Sequence, residues 1–267
     1  MNTLLIGLLA ETFVHVGGGQ SEGVVDLPVA REAVTDYPFI PGSGLKGALC
    51  DWADQNQVQD LDALFGKSDN AGQLLFSDAR LLALPVRSLH SASRWITCPH
   101  LWERFCRDAV RTRLDVSVLD QALDQGKALG EGENRIILEE RGFQLVGKIP
   151  EPVVSALGKL VAHDDTRARF AQSLVMLHDD DFVWFARYGL AVQARNVLDR
   201  ETKISQNLWY EESLPPDSLL YALISERSKD SLISLVEPLK QTPYLQVGGN
   251  ETIGQGWLAL AFPEQQS

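Results

Sequence analysis

The chain has 267 residues, 45% hydrophobic and 22% charged, with a formal net charge of −12 at pH 7. That length supports one large domain or two small ones, and so acidic a balance excludes the broadly basic surface of a free-standing nucleic-acid binder. Three cysteines, Cys50, Cys98 and Cys106, do not make a disulfide framework, so reduced thiols are expected.

The opening run LLIGLLA is short, follows no basic residue and precedes Glu11, which fits neither a signal peptide nor a spanning helix. A cytoplasmic protein without a membrane partner is expected. Residues 3–14 predict a buried strand. Two glycine-rich turns follow, HVGGGQ at 15–20 and IPGSGLKG at 40–47, with the extended segment GVVDLPVARE between them. Glycines let backbone amides converge on an anionic oxygen, and a turn that opens a helix adds the favourable end of its dipole. This layout sets Asp26 beside a phosphodiester.

The helix predicted after PGSG carries Leu45, Ala48, Leu49 and Trp52 on one face. Residues 72–84 read as the next strand and 135–146 as another. Segments 151–162 and 166–177 read as helices, and 182–194 as a strand. Toward the end, 218–225 predicts a strand, 228–240 a helix, and 244–262 two strands around a glycine turn. The order lacks strict alternation of strand and helix. An α+β class is expected, with a ferredoxin-like antiparallel sheet, inserted helices and a single domain over 1–267.

Between Arg80 and Arg113 seven arginines face Glu103 and Asp108, a local net charge of +5, interleaved with His90, Trp95, His100 and Trp102. Such a run suits a single-stranded backbone with stacked bases, and equally an amphipathic helix with a solvated basic face. The polar segment 193–214 holds Arg195, Arg200 and Lys203 with Leu198, Trp209 and Tyr210, as in a hairpin extending from a core. Other patterns do not carry chemistry. Gly254, Gly256 and Ala259 have dinucleotide-site spacing but enter a final strand, PGSGLKG lacks the order of a phosphate-binding loop, and His90, Cys98, His100 and Cys106 lack zinc-knuckle spacing. Asp179, Asp180 and Asp181 read as a solvated turn.

Taken in order, HVGGGQSEGVVDLPVARE, YPFIPGSGLKGAL, DRETKISQNLWYEESLPPDSLLY and LQVGGNETIGQGWL resemble the backbone subunit of type III-B (Cmr) CRISPR effector complexes, of the RAMP superfamily. VVDLP together with ETK, LWYEE and LPPDS is specific to that subunit. Gly44 and Cys50 depart from the family pattern, where a serine and a basic residue are common. The resemblance implies an RRM-like palm, a protruding β-hairpin thumb at about 193–214, and a helical filament of copies along a guide RNA. It also implies cleavage of complementary single-stranded target RNA at regular intervals, with other Cmr subunits as partners. The cofactor implied is a divalent ion, Mg or Mn, bound with the RNA substrate.

On this reading Asp26 is the catalytic residue, either accepting the 2′-hydroxyl proton or binding the metal ion. His15 is either the group that protonates the leaving oxygen or a satisfied structural histidine. Gly17, Gly18, Gly19, Ser43, Lys46, Gly248, Gly249, Gly254 and Gly256 are expected along the RNA backbone, and Arg31 at the target strand. Arg94, Arg195, Lys203 and Trp209 complete the expected RNA contacts. A non-catalytic filament subunit and a guide-processing endonuclease of the same superfamily are the alternatives. Head-to-tail stacking, in which a negative face of one copy meets a positive face of the next, would reconcile an acidic chain with RNA binding.

Overall fold

The apolar run at the start becomes strand β1 (Thr3–Ala10), six of whose residues are buried, as a strand covered on both faces requires. The structure, a computed structural model, describes residues 2–19, 23–114, 116, 119 and 122–264; Gln20 of the first glycine turn lies outside them. After β1 come β2 (Phe39–Ile40), helix α1 (Gly42–Gln55), α2 (Leu61–Phe65), β3 (Gly66–Lys67), β4 (Asn70–Ala71), β5 (Leu74–Phe76), β6 (Ala79–Arg87) and β7 (Ser93–Thr97). The middle of the chain forms α3 (Pro99–Ala109), β8 (Lys127–Gly130), β9 (Arg135–Leu138), β10 (Arg141–Gly147), α4 (Glu151–Gly158), α5 (Asp164–Ser173), β11 (Leu174–Leu177) and α6 (Asp179–Tyr188). The last third forms β12 (Ala191–Leu198), β13 (Ser205–Ser213), β14 (Leu219–Glu226), α7 (Ser231–Gln241), β15 (Tyr244–Gln246) and β16 (Trp257–Ala261).

One sheet runs in the order β15-β16-β1-β14-β6-β7-β11-β8-β10-β9, with β2 beside β6 and β5 beside β14. It is mixed, which corrects the expected antiparallel sheet. β7 pairs with β11, and β8 with β10, in parallel. The β7 to β11 connection carries α3, α4 and α5, the long crossover that parallel neighbours need.

Alternate residues of β1 point to opposite faces. Ile6 and Leu8 join a core with Leu45 and Leu49 of α1, Phe182 and Phe185 of α6, and Leu235 and Leu239 of α7. Leu5 and Leu9 join a second core with Trp102 and Phe105 of α3, Leu157 of α4 and Phe170 of α5. Helices therefore cover the sheet on both sides.

Several segments differ from the sequence-based expectation. Residues 72–84 divide into β5 and β6, and 135–146 fold back as the β9–β10 hairpin. The helix expected over 166–177 ends at Ser173, and Leu174–Leu177 form a fully buried strand. The strand expected over 182–194 is α6 followed by β12. Phe182, Phe185 and Ala186 bury one face at helical spacing, and the three aspartates open the helix where its dipole favours negative charge. Asp181 is buried beneath Arg141 and the Gly126 amide instead of lying in a solvated turn.

The basic stretch is split: Arg80, Arg94 and Arg104 are half-buried, whereas Arg87, Arg107, Arg111 and Arg113 are exposed. Trp95 and Trp102 are buried. Arg80 pairs with Asp108, which also accepts the Tyr221 hydroxyl, and Arg104 grips Glu32 with two nitrogens at 2.6 and 2.8 Å. Burial pushes the Glu32 carboxyl up, but hydrogen bonds from Arg104 and Thr35 and the charges of Arg104 and Arg80 outweigh it and hold it below its ordinary value. A lowered folded pKa contributes stability above the unfolded value and loses it as pH falls through the folded one. The gap in melting temperature between wild type and Glu32→Gln is expected to be constant near neutrality and to narrow below about pH 4. A gap independent of pH would mean that the carboxylate charge does not stabilise the fold.

Candidate functional site

β12 and β13 form a two-stranded hairpin of their own, paired from Ala191 with Ser213 to Leu198 with Ser205. It begins two residues earlier than the sequence suggests. Its outer part exposes apolar side chains, with Leu198, Ile204 and Leu208 between 51% and 66% accessible. The tip is locally tied. Asp199 Oδ1 accepts the Glu201 and Thr202 amides and the Thr202 hydroxyl, and these bonds, led by the Thr202 amide, hold its carboxyl below the ordinary range. Lys203 stands exposed in that turn.

The Asp26 segment lies beside the inner end of β13. Leu27 donates its amide to the Tyr210 carbonyl at 3.1 Å, and the Glu212 amide donates to the Leu27 carbonyl at 3.0 Å. Asp26 itself is exposed, and its Oδ2 accepts the Tyr210 amide at 2.7 Å. No described residue is bonded to Oδ1. The carboxylate is thus fixed through Oδ2 at the hairpin base, on an exposed residue.

On its other side the segment is stitched to the first glycine turn, with the Gly18 amide on the Pro28 carbonyl and the Ala30 amide on the Val16 carbonyl. The late glycine loop closes on the same place. Gly249 donates to the His15 carbonyl and Gly256 to the Phe13 carbonyl, each at 2.8 Å. Gly248 has φ +89°, and a Cβ there would collide with the His15 carbonyl oxygen, so only glycine fits. Its requirement comes from the protein's own backbone.

Glu212 locks these pieces together. It is buried, its Oε2 accepts the Val29 amide at 3.1 Å, and its Oε1 accepts Arg31 at 2.7 Å. Its carbonyl accepts His15 Nδ1–H at 2.7 Å. A carbonyl cannot donate, so Nδ1 carries the proton; Nε2 faces Gly17. His15 is only 9% exposed, and the arrangement is that of a pin between the first strand's extension and the hairpin. Arg31, expected at the target strand, instead directs its guanidinium inward, to Glu212 and to the carbonyls of Asp36 and Ala186.

The remaining expected residues divide. Gly17, Gly18 and Gly19 are exposed beside Asp26's segment. Arg195 turns inward to Glu211 at 3.4 Å, opposite the half-buried Trp209, and Glu211 also accepts Asn250. Ser43 and Lys46 are exposed on the first turn of α1. A groove of about 370 Å³, lined by Gly44, Gly47, Asp51, Gly248, Glu251 and Trp257, joins the outer side of that helix to the late loop. Gly254 is exposed in the same loop. Arg94 lies apart, on β7. The buried pair Glu211 and Glu212 was visible in LWYEE, but nothing in the sequence announced that Glu212 bonds His15, Leu27, Val29 and Arg31, in two other segments.

Among the described residues no three His, Cys, Asp or Glu side chains cluster in a way that could hold a metal. A single exposed carboxylate, that of Asp26, is compatible with the way Mg²⁺ is held by one or two carboxylates together with substrate phosphates. Cys98 is fully buried against the Tyr37 hydroxyl, and burial pushes its thiol up; burial likewise pushes Cys106 up to about 11, so neither offers a thiolate near neutral pH.

The sequence profile of the RAMP superfamily matches residues 8–259. The CRISPR system Cmr endoribonuclease Cmr4 of Pyrococcus furiosus is 30% identical over 99% of this chain and 97% of its own length. The CRISPR system CMR subunit Cmr4 of Saccharolobus solfataricus is 28% identical over 95% of this chain and 94% of its own length. The crystal structure of oligomeric Cmr4 from Pyrococcus furiosus superposes with a TM-score of 0.80 at 26% identity, covering 100% of both chains.

Proposed function

We propose, from the premise that the chain belongs to the RAMP superfamily and within it to the Cmr4 family, that it is a repeated backbone subunit of a type III-B CRISPR effector. In that role it binds guide RNA and cuts the complementary target RNA. The mixed sheet with its helices serves as the palm, of the RRM-like kind, and the β12–β13 hairpin as the thumb. Copies stack along the guide with other Cmr subunits. No helix among the described residues is long and apolar enough to cross a membrane, and the assembly is proposed to act in the cytoplasm.

The observation that carries this reading is the placement of Asp26 at the base of the exposed hairpin, itself exposed and held through one oxygen by Tyr210. Exposed Leu198, Ile204 and Leu208 are suited to enter a duplex and unstack a nucleotide. A strand bent in this way brings a ribose 2′-oxygen into line with the adjacent phosphorus. As that oxygen attacks, Asp26 Oδ1 receives or orients its proton, the bond to the 5′-oxygen breaks, and the departing oxygen takes up a proton. His15 and Glu212 hold the segment in place. A divalent ion, Mg²⁺ or Mn²⁺, bound with the RNA at the Asp26 carboxylate would neutralise the charge that develops on the phosphate.

Reconstitution with guide RNA and the partner subunits, followed by mapping of target cuts, tests the proposal. Evenly spaced cuts, one for each copy, are expected. Bound target that stays intact, or processing of precursor guide RNA by the isolated chain, would contradict it.

A further inference from the structure

Four of the seven arginines of the 80–113 stretch are paired with the protein's own carboxylates. Arg80, Arg87, Arg104 and Arg107 each hold a carboxylate. Arg94 does not. It lies on β7, its Nη1 donates only to the Gln172 carbonyl at 3.2 Å, and its Nε is buried with no hydrogen-bond partner. A buried donor left unmade is costly.

Arg94 borders a cleft of about 590 Å³ between the β6–β7 turn and the β8–β9 turn, together with His90, Gly132, Asn134, Arg135 and Leu145. Arg135, exposed on β9, pairs with no carboxylate among the described residues, and its guanidinium lies over Gly142, where any Cβ would collide with it. Glu131, at the rim, is already engaged by Lys148 at 2.8 Å. The cleft therefore brings together Arg94 and Arg135, a histidine, the Glu133 carboxylate and an apolar wall formed by Leu145 and Ile136. Its volume falls within the range of small-ligand sites, about 300–1,000 Å³. Paired guanidiniums recognise a phosphate, and an apolar wall with an imidazole accepts a base.

We infer that this cleft is a second RNA-contact site, taking one nucleotide of single-stranded RNA with its phosphate between Arg94 and Arg135 and its base against Leu145. The site is separate from the hairpin base. β14 and β6 lie between β1 and β7, a displacement of roughly 14 Å along the sheet at ~4.8 Å per strand. The inference rests on the RNA-binding role proposed above and adds a contact to it. It also gives a role to two arginines that share one cleft and pair with no carboxylate among the described residues.

The test is the salt dependence of RNA binding by the assembled complex, carried out separately for guide and for target so that the strand is identified. For the double variant Arg94→Gln with Arg135→Gln, the slope of log affinity against log salt should become shallower by about 0.7 in one of the two arms, the loss of one phosphate contact on a single strand. The lysine pair, Arg94→Lys with Arg135→Lys, should restore most of the slope. If the double variant assembles poorly, the surface substitution Arg135→Gln decides alone, with an expected change in the same direction of up to about 0.7. An unchanged slope in both arms overturns the inference, as does loss of self-assembly by Arg135→Gln in the absence of RNA, which would make the cleft a contact between copies. Cutting by the wild-type complex is scored independently, so failure of the cleavage proposal is distinguishable from failure of this one.

Discussion

Asp26→Asn is expected to slow target cleavage by the assembled complex by at least about 100-fold, within the range that removal of a proton-accepting group produces. Asparagine keeps the shape of the side chain and an oxygen able to accept the Tyr210 amide, so the segment's attachment to β13 survives. What disappears is the negative charge of the carboxylate, and with it both the capacity to accept a proton and the attraction for a cation. Guide and target affinities should remain within about twofold, since an exposed carboxylate adds nothing favourable to binding a polyanion. Single-turnover cleavage and equilibrium binding on the same preparation separate the two effects. Equal losses in both would make Asp26 a structural cap.

The largest stability effect is expected at Glu212, where Glu212→Ala should cost about 3–5 kcal/mol because it leaves the Arg31 charge buried and unpaired. The two side chains are 16% and 8% exposed, so solvent screens the pair weakly. The substitution also strips the Val29 amide of its acceptor, in the segment that carries Asp26. In a chain of this length the melting temperature should fall by roughly 10 °C. Replacing both members with apolar residues, Arg31→Met with Glu212→Leu, should recover much of the loss, because the uncompensated charge is then gone. Thermal melts of the three variants provide the check. A fall of less than about 2 °C for Glu212→Ala would show that the pair does not lock the hairpin base.

The parts of this fold governed by local rules were legible. β1 follows from an uninterrupted apolar run, α1 from a glycine turn followed by Leu45, Leu49 and Trp52 at helical spacing, and the β12–β13 hairpin from a polar stretch punctuated by aromatic residues. Short apolar runs were not. LVML at 174–177 has no period that separates a helix's last turn from a buried strand, and its pairing with β7 is decided by residues some eighty positions away. The 182–194 segment misled because aromatic and β-branched residues favour strands in general, whereas Phe182, Phe185 and Ala186 bury a helical face here.

Charge was the least legible feature. A sequence shows that Arg80, Arg94 and Arg104 share a basic stretch, but only the fold shows that Asp108 and Glu32 satisfy two of them. Asp26 and His15 both stood out by motif, yet their environments differ. The acid is exposed and the histidine is sealed between Gly17, Gly249 and the Glu212 carbonyl. Family resemblance pointed to the candidate site, and burial distinguishes the two residues within it.

The most direct measurement is a structure of the Asp26→Asn assembly carrying guide and uncut target RNA. The account predicts an unstacked target nucleotide at each hairpin, with a ribose 2′-oxygen about 3 Å from the residue 26 side chain and in line with the next phosphorus. Target backbone that runs elsewhere, leaving residue 26 more than roughly 10 Å from every ribose, well beyond hydrogen-bond reach even through a water, would contradict it.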